Sequence, residues 1–450
     1  MILLSAEAYA AGLFIAPRGV RPLGRGGAFV AGADDVHALT YNPAGLAFAK
    51  NQVLFDLSLN FYNVDFTRRV TADSEPLPTV SGEGLKLPLP NIGFVHDFGL
   101  GPMFTFGGSL GADIPGLQSW PSQLPDGSPA PQRYAIEDYK GTAIVKLAAG
   151  GAVRPIPQLS IGMSLQAMVG TFADTKTVSA CDGVICTQAE DPLHDTRIQL
   201  VAKHIFAPGI HFGVIGAPTE WLRVGVAWES GYHLSKKGDL RVRLPAAGEY
   251  DAATLSADPK AICELDMPWS LRLGIEGRND LVRVEFSAVH DHWSTFDRVT
   301  IKPQDVRIND VLAIGDYRLA DMFMEPRFRD IWSFRLGSEW TPEIGGTRDL
   351  VLRLGGFYEP SAIPDERLSP EWVDFDKLFI TGGAGYRFGK VAIDGTFAYG
   401  ILESRSIRNS EVFQLNPLRP AFAGRTTLGN GDYSGSDFII GLSLRYFLGE

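Results

Sequence analysis

From Gln52 to the end of the chain, apolar and polar positions alternate in runs of about ten residues, the period of strands with two unlike faces. In one run Trp269, Leu271, Leu273 and Ile275 oppose Ser270, Arg272, Gly274 and Glu276. In the next, Val282, Val284, Phe286 and Ala288 oppose Arg283, Glu285 and Ser287; in a third, Trp332, Phe334, Leu336 and Trp340 oppose Ser333, Arg335, Gly337 and Glu339. Short connections stand at 99–102, 154–157, 216–219, 277–280, 341–349 and 389–390, and long polar ones at 68–82, 113–133, 174–194, 246–263, 296–327, 359–374 and 404–433. Six short and seven long connections separate fourteen strands, which returns both chain ends to the short-turn side. The pattern predicts an all-β membrane protein, a 14-stranded antiparallel outer-membrane β-barrel whose short turns face the periplasm.

The apolar face carries aromatics near its ends, as a lipid-facing band with interfacial girdles does. A soluble β-sandwich also alternates, but Arg272, Glu276, Arg283, Glu285, Arg335, Glu339 and Arg353 stand mid-strand with no apolar neighbours on their face. They are expected to line a wet or polar lumen. No apolar run reaches the roughly 18 residues of a membrane helix, and among bilayer-crossing architectures that leaves the closed barrel.

One stretch breaks the pattern. Residues 24–47 are small, Ala-rich and polar-spotted, with Gly26-Gly27 before a short helical run and Asn42-Pro43 after it. They read as a small helical hatch, spanning 12–51, that plugs the lumen of a barrel spanning 52–450. Residues 1–11 carry the small-residue end of a secretory signal at Ala8-Tyr9-Ala10 without its basic start, and read as the remnant of one. Composition adds little: no linker or charge block divides the 450 residues, and a net charge of −11 gives no reason to expect nucleic acid as a partner.

The residues also carry a resemblance. Arg25-Gly26-Gly27-Ala28-Phe29, Ala33-Asp34-Asp35 and Tyr41-Asn42-Pro43-Ala44-Gly45-Leu46-Ala47 are similar to the hatch of the FadL/TodX family of outer-membrane transporters for long-chain fatty acids and other hydrophobic compounds, including its Asn-Pro-Ala motif. The stretches 267–274, 292–297, 328–339, 352–358 and 363–365 resemble its second half. The resemblance implies a transporter and not an enzyme, with no cofactor. It implies passive, ligand-gated uptake of a fatty acid or related hydrocarbon from outside into an apolar groove, then sideways release near a kinked third strand. Its surroundings would be outer-membrane lipid and lipopolysaccharide, its inserter the barrel-assembly machinery, and its state a monomer. Phe29, Asn42, Pro43 and Ala44 are then candidate gating residues. Independently, Gly107 and Gly108 in the third strand weaken it and mark either a bend near the exit or room for the hatch.

Little other chemistry stands out. Cys181 and Cys186 share one long loop and Cys263 lies in another; a Cys181–Cys186 disulfide is the first expectation, either with Cys263 the second, and no metal site is expected. Alternation sends His290 and His292 to the face opposite Asp291, so these three form no local triad. A carboxylate cargo needs a cation, and by strand parity Lys140, Lys146, Arg272, Arg335 and Arg353 point inward. Most have an acid on the same face, Glu276 beyond Arg272 and Glu339 beyond Arg335; Arg353 is expected to be unpaired, with Phe357 nearby to suit an alkyl tail. The alternatives are a general diffusion porin, against which the plug argues, and an outer-membrane lipid hydrolase, which needs a Ser and His pair on the outer face.

Overall fold

The computed structural model describes residues 18–84, 88–112, 117–181, 186, 188, 190–416 and 426–449. The expected signal remnant, residues 1–11, and residues 12–17 of the expected hatch lie outside them. Fourteen strands form the wall: β1 (Gln52–Arg68), β2 (Val80–Gly84 and Leu89–His96), β3 (Phe104–Ala112), β4 (Ala143–Ile156), β5 (Leu159–Ser179), β6 (Asp195–Thr219), β7 (Leu222–Glu229 and Tyr232–Arg243), β8 (Lys260–Met267 and Ser270–Arg278), β9 (Val282–Asp291), β10 (Ile331–Trp340), β11 (Leu350–Glu359), β12 (Lys377–Phe388), β13 (Val391–Leu402) and β14 (Gly431–Phe447). Each pairs antiparallel with the next. The last pairs with the first from Gln52↔Phe447 to Arg68↔Gly431 and closes the ring. Closure leaves no unpaired edge in lipid, which is the condition for a sheet to span a membrane.

The faces fall as the alternation predicts. Phe286, Phe334, Leu336, Ile380, Leu442 and Leu444 are exposed on the outer face, with Trp332 and Trp340 at its two ends. The inward charges are not in a wet lumen, however. Glu276 and Glu285 are fully buried, and Glu339 and Arg353 nearly so, because the N-terminal segment fills the barrel at their level.

Two strands run far beyond a membrane crossing. β5 has 21 residues and β6 has 25, where about 9 to 11 suffice. Their outer ends pair from Phe172↔Ala202 to Ser179↔Asp195, so the expected loop 174–194 begins inside a strand. The reason it read as loop is burial: positions 173–181 are covered on both faces, and two-sided burial erases the alternation.

Breaks in the strands set the inner geometry. In β7 the two residues Ser230 and Gly231 interrupt the strand, which lets both Glu229 and Tyr232, three positions apart, turn inward. Among the described residues, β2 pairs with β1 from Gln52↔Val95 to Ser58↔Leu89 and from Asn63↔Glu83 to Phe66↔Val80, and with β3 from Asn91↔Gly111 to His96↔Phe106.

Inside, the hatch consists of α1 (Val20–Gly24), α2 (Ala38–Tyr41) and a 3-10 turn at Pro43–Phe48. Phe29, Ala33, Val36, Leu39 and Leu46 pack on wall residues Leu54, Val95, Ala148 and Ala152. A second apolar core lies under the loops at the opposite, extracellular end and includes Tyr134, Tyr139, Trp293, Phe296, Phe328 and Phe375.

Candidate functional site

The hatch is held by charge. Glu285 of β9 accepts from three successive hatch amides, Val30 at 2.5 Å, Ala31 at 3.0 Å and Gly32 at 2.8 Å. A β-carbon on Gly32 would lie 2.1 Å from a Glu276 oxygen and 2.7 Å from one of Glu285, so only glycine allows this approach. Arg21 makes a two-pronged bond to Glu339 at 3.0 and 2.9 Å and reaches Asp34 at 2.6 Å. Arg25 meets Glu276 at 2.8 Å, and Arg283 joins Asp34 at 2.9 Å to the same Glu276 at 3.1 Å. Burial opposes the charge on Asp34, yet Arg21, Arg283 and Arg223 hold its carboxyl below the ordinary range. His37 stands between Asp35 at 2.9 Å and Asp56 at 2.8 Å; burial works against its charge, but the two carboxylates outweigh it and push the imidazole up to about 10.

The Asn-Pro-Ala motif docks the other flank. Asn42 caps the 3-10 turn by accepting from Ala44 N at 3.1 Å, and its Nδ2 donates to the carbonyls of Val30 at 3.0 Å and Val214 at 3.2 Å. Ser160 of β5 donates to the Ala44 carbonyl at 2.7 Å. A β-carbon on Gly162 would lie 2.3 Å from the Pro43 carbonyl carbon, so Pro43 rests directly on the wall. Phe29 is fully buried, 5.7 Å from the Tyr41 ring, with the Arg21 and Arg25 guanidiniums 5.2 and 5.4 Å from its centre.

Above the hatch lies an apolar cavity of about 890 Å³, part of it open to solvent. Ile144, Met168, Ile205, Tyr232 and Met267 line it from the wall, and Tyr139, Phe296, Val299, Met324 and Trp372 from the loops. Its polar surface comes from a few groups. At one side Asp174 and Glu371 both contact Lys176. Burial raises the Glu371 carboxyl above its ordinary range, against the pull of Lys176. At the floor, Tyr232 donates to Gln166 at 2.7 Å and Glu229 at 3.1 Å, and Glu229 pairs with Lys146 and with Arg272 at 2.9 Å. Gln166 and His211 both reach the Leu39 carbonyl, at 3.1 Å, so the floor is tied to the hatch.

Lys146 borders both this floor and a second cavity. The latter is lined by hatch residues Gly19, Leu23 and Thr40 and by Asp56 of β1, Asn91 of β2 and Ser109 and Ala112 of β3.

Several expected site residues fall elsewhere. Arg353 is not unpaired: its Nε bonds Glu339 at 2.8 Å and its Nη1 bonds Asp394 at 2.7 Å. Arg335 pairs with Glu359 at 3.1 Å over the Phe357 ring, and Arg272 with Glu229, so neither uses the acid along its own strand. Neighbours across a ladder stand about 5 Å apart, whereas residues four apart along a strand are separated by about 13 Å. Lys140 is not a wall residue; it precedes β4 on the surface, 3.7 Å from Asp138. Gly107 faces the hatch, its absent β-carbon 3.1 Å from Leu46, while Gly108 faces outward beneath the Phe94 ring. The β3–β4 ladder runs unbroken past both, from Phe104↔Val153 to Ala112↔Val145. Cys181 and Cys186 form a disulfide with Cα atoms 5.0 Å apart, and Cys263 is free and buried. Sequence parity missed Asp174, Lys176, Glu229, Tyr232 and Glu371. The Ser230-Gly231 pair was the available signal for Glu229 and Tyr232.

The fold matches solved transporters over nearly its whole length. A Pseudomonas aeruginosa FadL homologue superposes with a TM-score of 0.75 at 16% identity, covering 97% of this chain and 100% of the other. The Ralstonia pickettii toluene transporter TbuX gives 0.63 at 15% (96% and 99% covered), and the P. putida toluene transporter TodX 0.63 at 16% (97% and 99%). No curated protein matches the chain in sequence. Residues 1–447 match the family described as outer membrane protein transport protein (OMPP1/FadL/TodX). The chain therefore belongs to the FadL/TodX family, outer-membrane transporters of hydrophobic compounds and not enzymes.

Proposed function

We propose that this transporter carries an uncharged hydrocarbon in preference to a fatty acid. The carrying observation is the charge state of the apolar cavity: each nearby cation already has a carboxylate, Lys146 and Arg272 sharing Glu229, Arg335 holding Glu359, and Lys176 facing both Asp174 and Glu371. Among the described residues a fatty carboxylate entering here finds no spare cation and meets two acids, and burying a charge without compensation costs several kcal/mol. An alkane or arene meets only side chains that gain from burial.

Uptake is passive. The cargo enters between the extracellular loops, occupies the upper cavity, passes the Tyr232–Glu229 floor as the hatch contact at Leu39 loosens, and leaves sideways between β2 and β3 beside Leu89 and Ala112. The second cavity, which reaches the wall at Leu89, Asn91, Ser109 and Ala112, supports the exit.

Binding of a long-chain alkane, a fatty acid and its methyl ester to the purified protein tests the cargo. The ester and alkane should bind alike and the ionised acid more weakly; an acid that binds more tightly than its ester overturns the assignment. Ser109→Trp with Ala112→Trp should fill the second cavity and stop uptake while cavity binding persists. Undiminished uptake would remove the lateral route.

A further inference from the structure

We infer that His290, His292 and Asp330 form a divalent transition-metal site at the extracellular rim, at the roots of the loop that walls the cavity. One ligand atom from each of the three lies within 4.8 Å of the others. The residues come from separate elements. His290 is near the outer end of β9, His292 just beyond it, and Asp330 immediately before β10. Alternation along β9 directs His290 outward, away from the paired charges of the lumen, and His292 follows just past the strand's end.

The surroundings prepare these side chains for coordination. His290 Nδ1 lies 3.0 Å from the Ile331 carbonyl oxygen, which fixes the proton on that nitrogen and leaves Nε2 with its lone pair outward. Asp330 accepts from Ser294 N at 2.8 Å through one carboxylate oxygen, and its other oxygen faces His292 Nδ1 at 2.7 Å. The Trp269 ring stacks on His292 at 4.8 Å and meets His290 edge-on at 5.4 Å, while Trp332 packs on His290 at 4.9 Å. Both imidazoles are thus held in place by aromatic neighbours.

Two imidazoles and a carboxylate suit zinc, nickel or copper better than calcium or magnesium, which favour an all-oxygen shell. Tetrahedral zinc with bonds of about 2.0 Å places its ligand atoms about 3.3 Å apart, so His292 Nδ1 and Asp330, 2.7 Å apart, separate by about 0.6 Å while His290 closes by at most about 1.5 Å. His292 and Asp330 are about one-third exposed and free to make that movement. The cation enters between His292 Nδ1 and Asp330, and the His292 proton moves to Nε2, towards Ser294 Oγ at 3.4 Å. Charge and protons balance without a further reactant.

The position has a consequence for the cavity. His292 and Asp330 bracket the segment that supplies Phe296, Val299, Ile301 and Met324 to the cavity lining. A cation joining them fixes both roots of that segment.

Zinc binding to the full-length protein in detergent, by equilibrium dialysis with metal analysis, tests the site. One zinc per chain is expected, with affinity at least about 10- to 100-fold lower in His290→Asn, His292→Asn and Asp330→Asn, since even loss of a group that only orients a ligand costs that much. Copper(II) should quench the emission of Trp269 and Trp332 in the wild type and lose that effect in His290→Asn/His292→Asn, whose barrel is checked by heat-modifiable gel migration. No zinc bound by the wild type, or equal binding by the double variant with its barrel intact, overturns the proposal. Hydrocarbon binding is a separate measurement, so failure of the metal site leaves the cargo assignment standing.

Discussion

Replacing Glu285 by Gln is the sharpest test of how the hatch is held. The carboxylate accepts from Val30, Ala31 and Gly32, receives Ser287 Oγ at 2.8 Å, and lies 3.5 Å from the Arg25 guanidinium, all without contact with water. Glutamine keeps one acceptor oxygen for Val30 and Ala31 but presents an NH2 to Gly32 N, so a buried donor loses its acceptor at about 1–3 kcal/mol. The two surviving bonds lose their charge assistance, about 0.5–1 kcal/mol each, which brings the total to roughly 2–5 kcal/mol. At about 1.4 kcal/mol per decade, the population with the hatch displaced rises at least about 30-fold. The wall ladders are untouched, so the barrel should still migrate as folded in an unheated gel. In planar bilayers, the fraction of time the channel is open should increase by that factor in Glu285→Gln. An open fraction within about threefold of the wild type, with the barrel intact, would refute the claim that these bonds hold the hatch.

Other expectations follow from the same geometry. Gly107→Val should press on Leu46, at about 1–3 kcal/mol for the overpacking, and raise conductance; Gly108→Val should move only the outer Phe94 ring, and uptake blocked by Gly108→Val alone would contradict the placement of these residues. His37 is raised from 6.5 to about 10 in the docked hatch, so its contribution is full below pH 6.5 and is lost as the pH rises through 10. Conductance should therefore increase with pH across that window and less so in His37→Gln, and identical slopes would exclude His37 as the cause. Maleimide labelling of the denatured, unreduced protein should modify one thiol, Cys263, and three after reduction.

The wall was legible in the sequence because lipid enforces it: Phe286, Phe334 and Leu442 must face out, and a strand's period of two places every neighbour accordingly. The Asn42-Pro43-Ala44 break was legible for a local reason, since its cap and turn are made within a few residues. Pairing was not legible. Which acid Arg353 meets depends on the register of β11 against β10 and on Asp394 two strands away, and neither is written in the local pattern. Glu371 reaches Lys176 across 195 residues, from a loop with no periodicity. The outer half of β5 was hidden for the opposite reason, because loops cover both of its faces and leave no polar side to alternate with.

The hatch contacts also set an order of events in folding. Arg21 finds Glu339 318 residues along the chain, and Arg25 finds Glu276 251 residues along, while Val20 and His37 hold Asp56 on the first strand. Its anchors therefore lie on both sides of the seam where β14 meets β1, and they take their positions only when that seam has closed. Contacts of such long sequence separation form late, because the chain entropy of closing the loop is lost before the contact is gained. Pulse-labelling hydrogen exchange during refolding should protect the amides of β9–β12 before those of Val30, Ala31 and Gly32. The hatch, synthesised before the wall, is then ordered after it, and each newly made barrel passes through an interval in which its lumen is open.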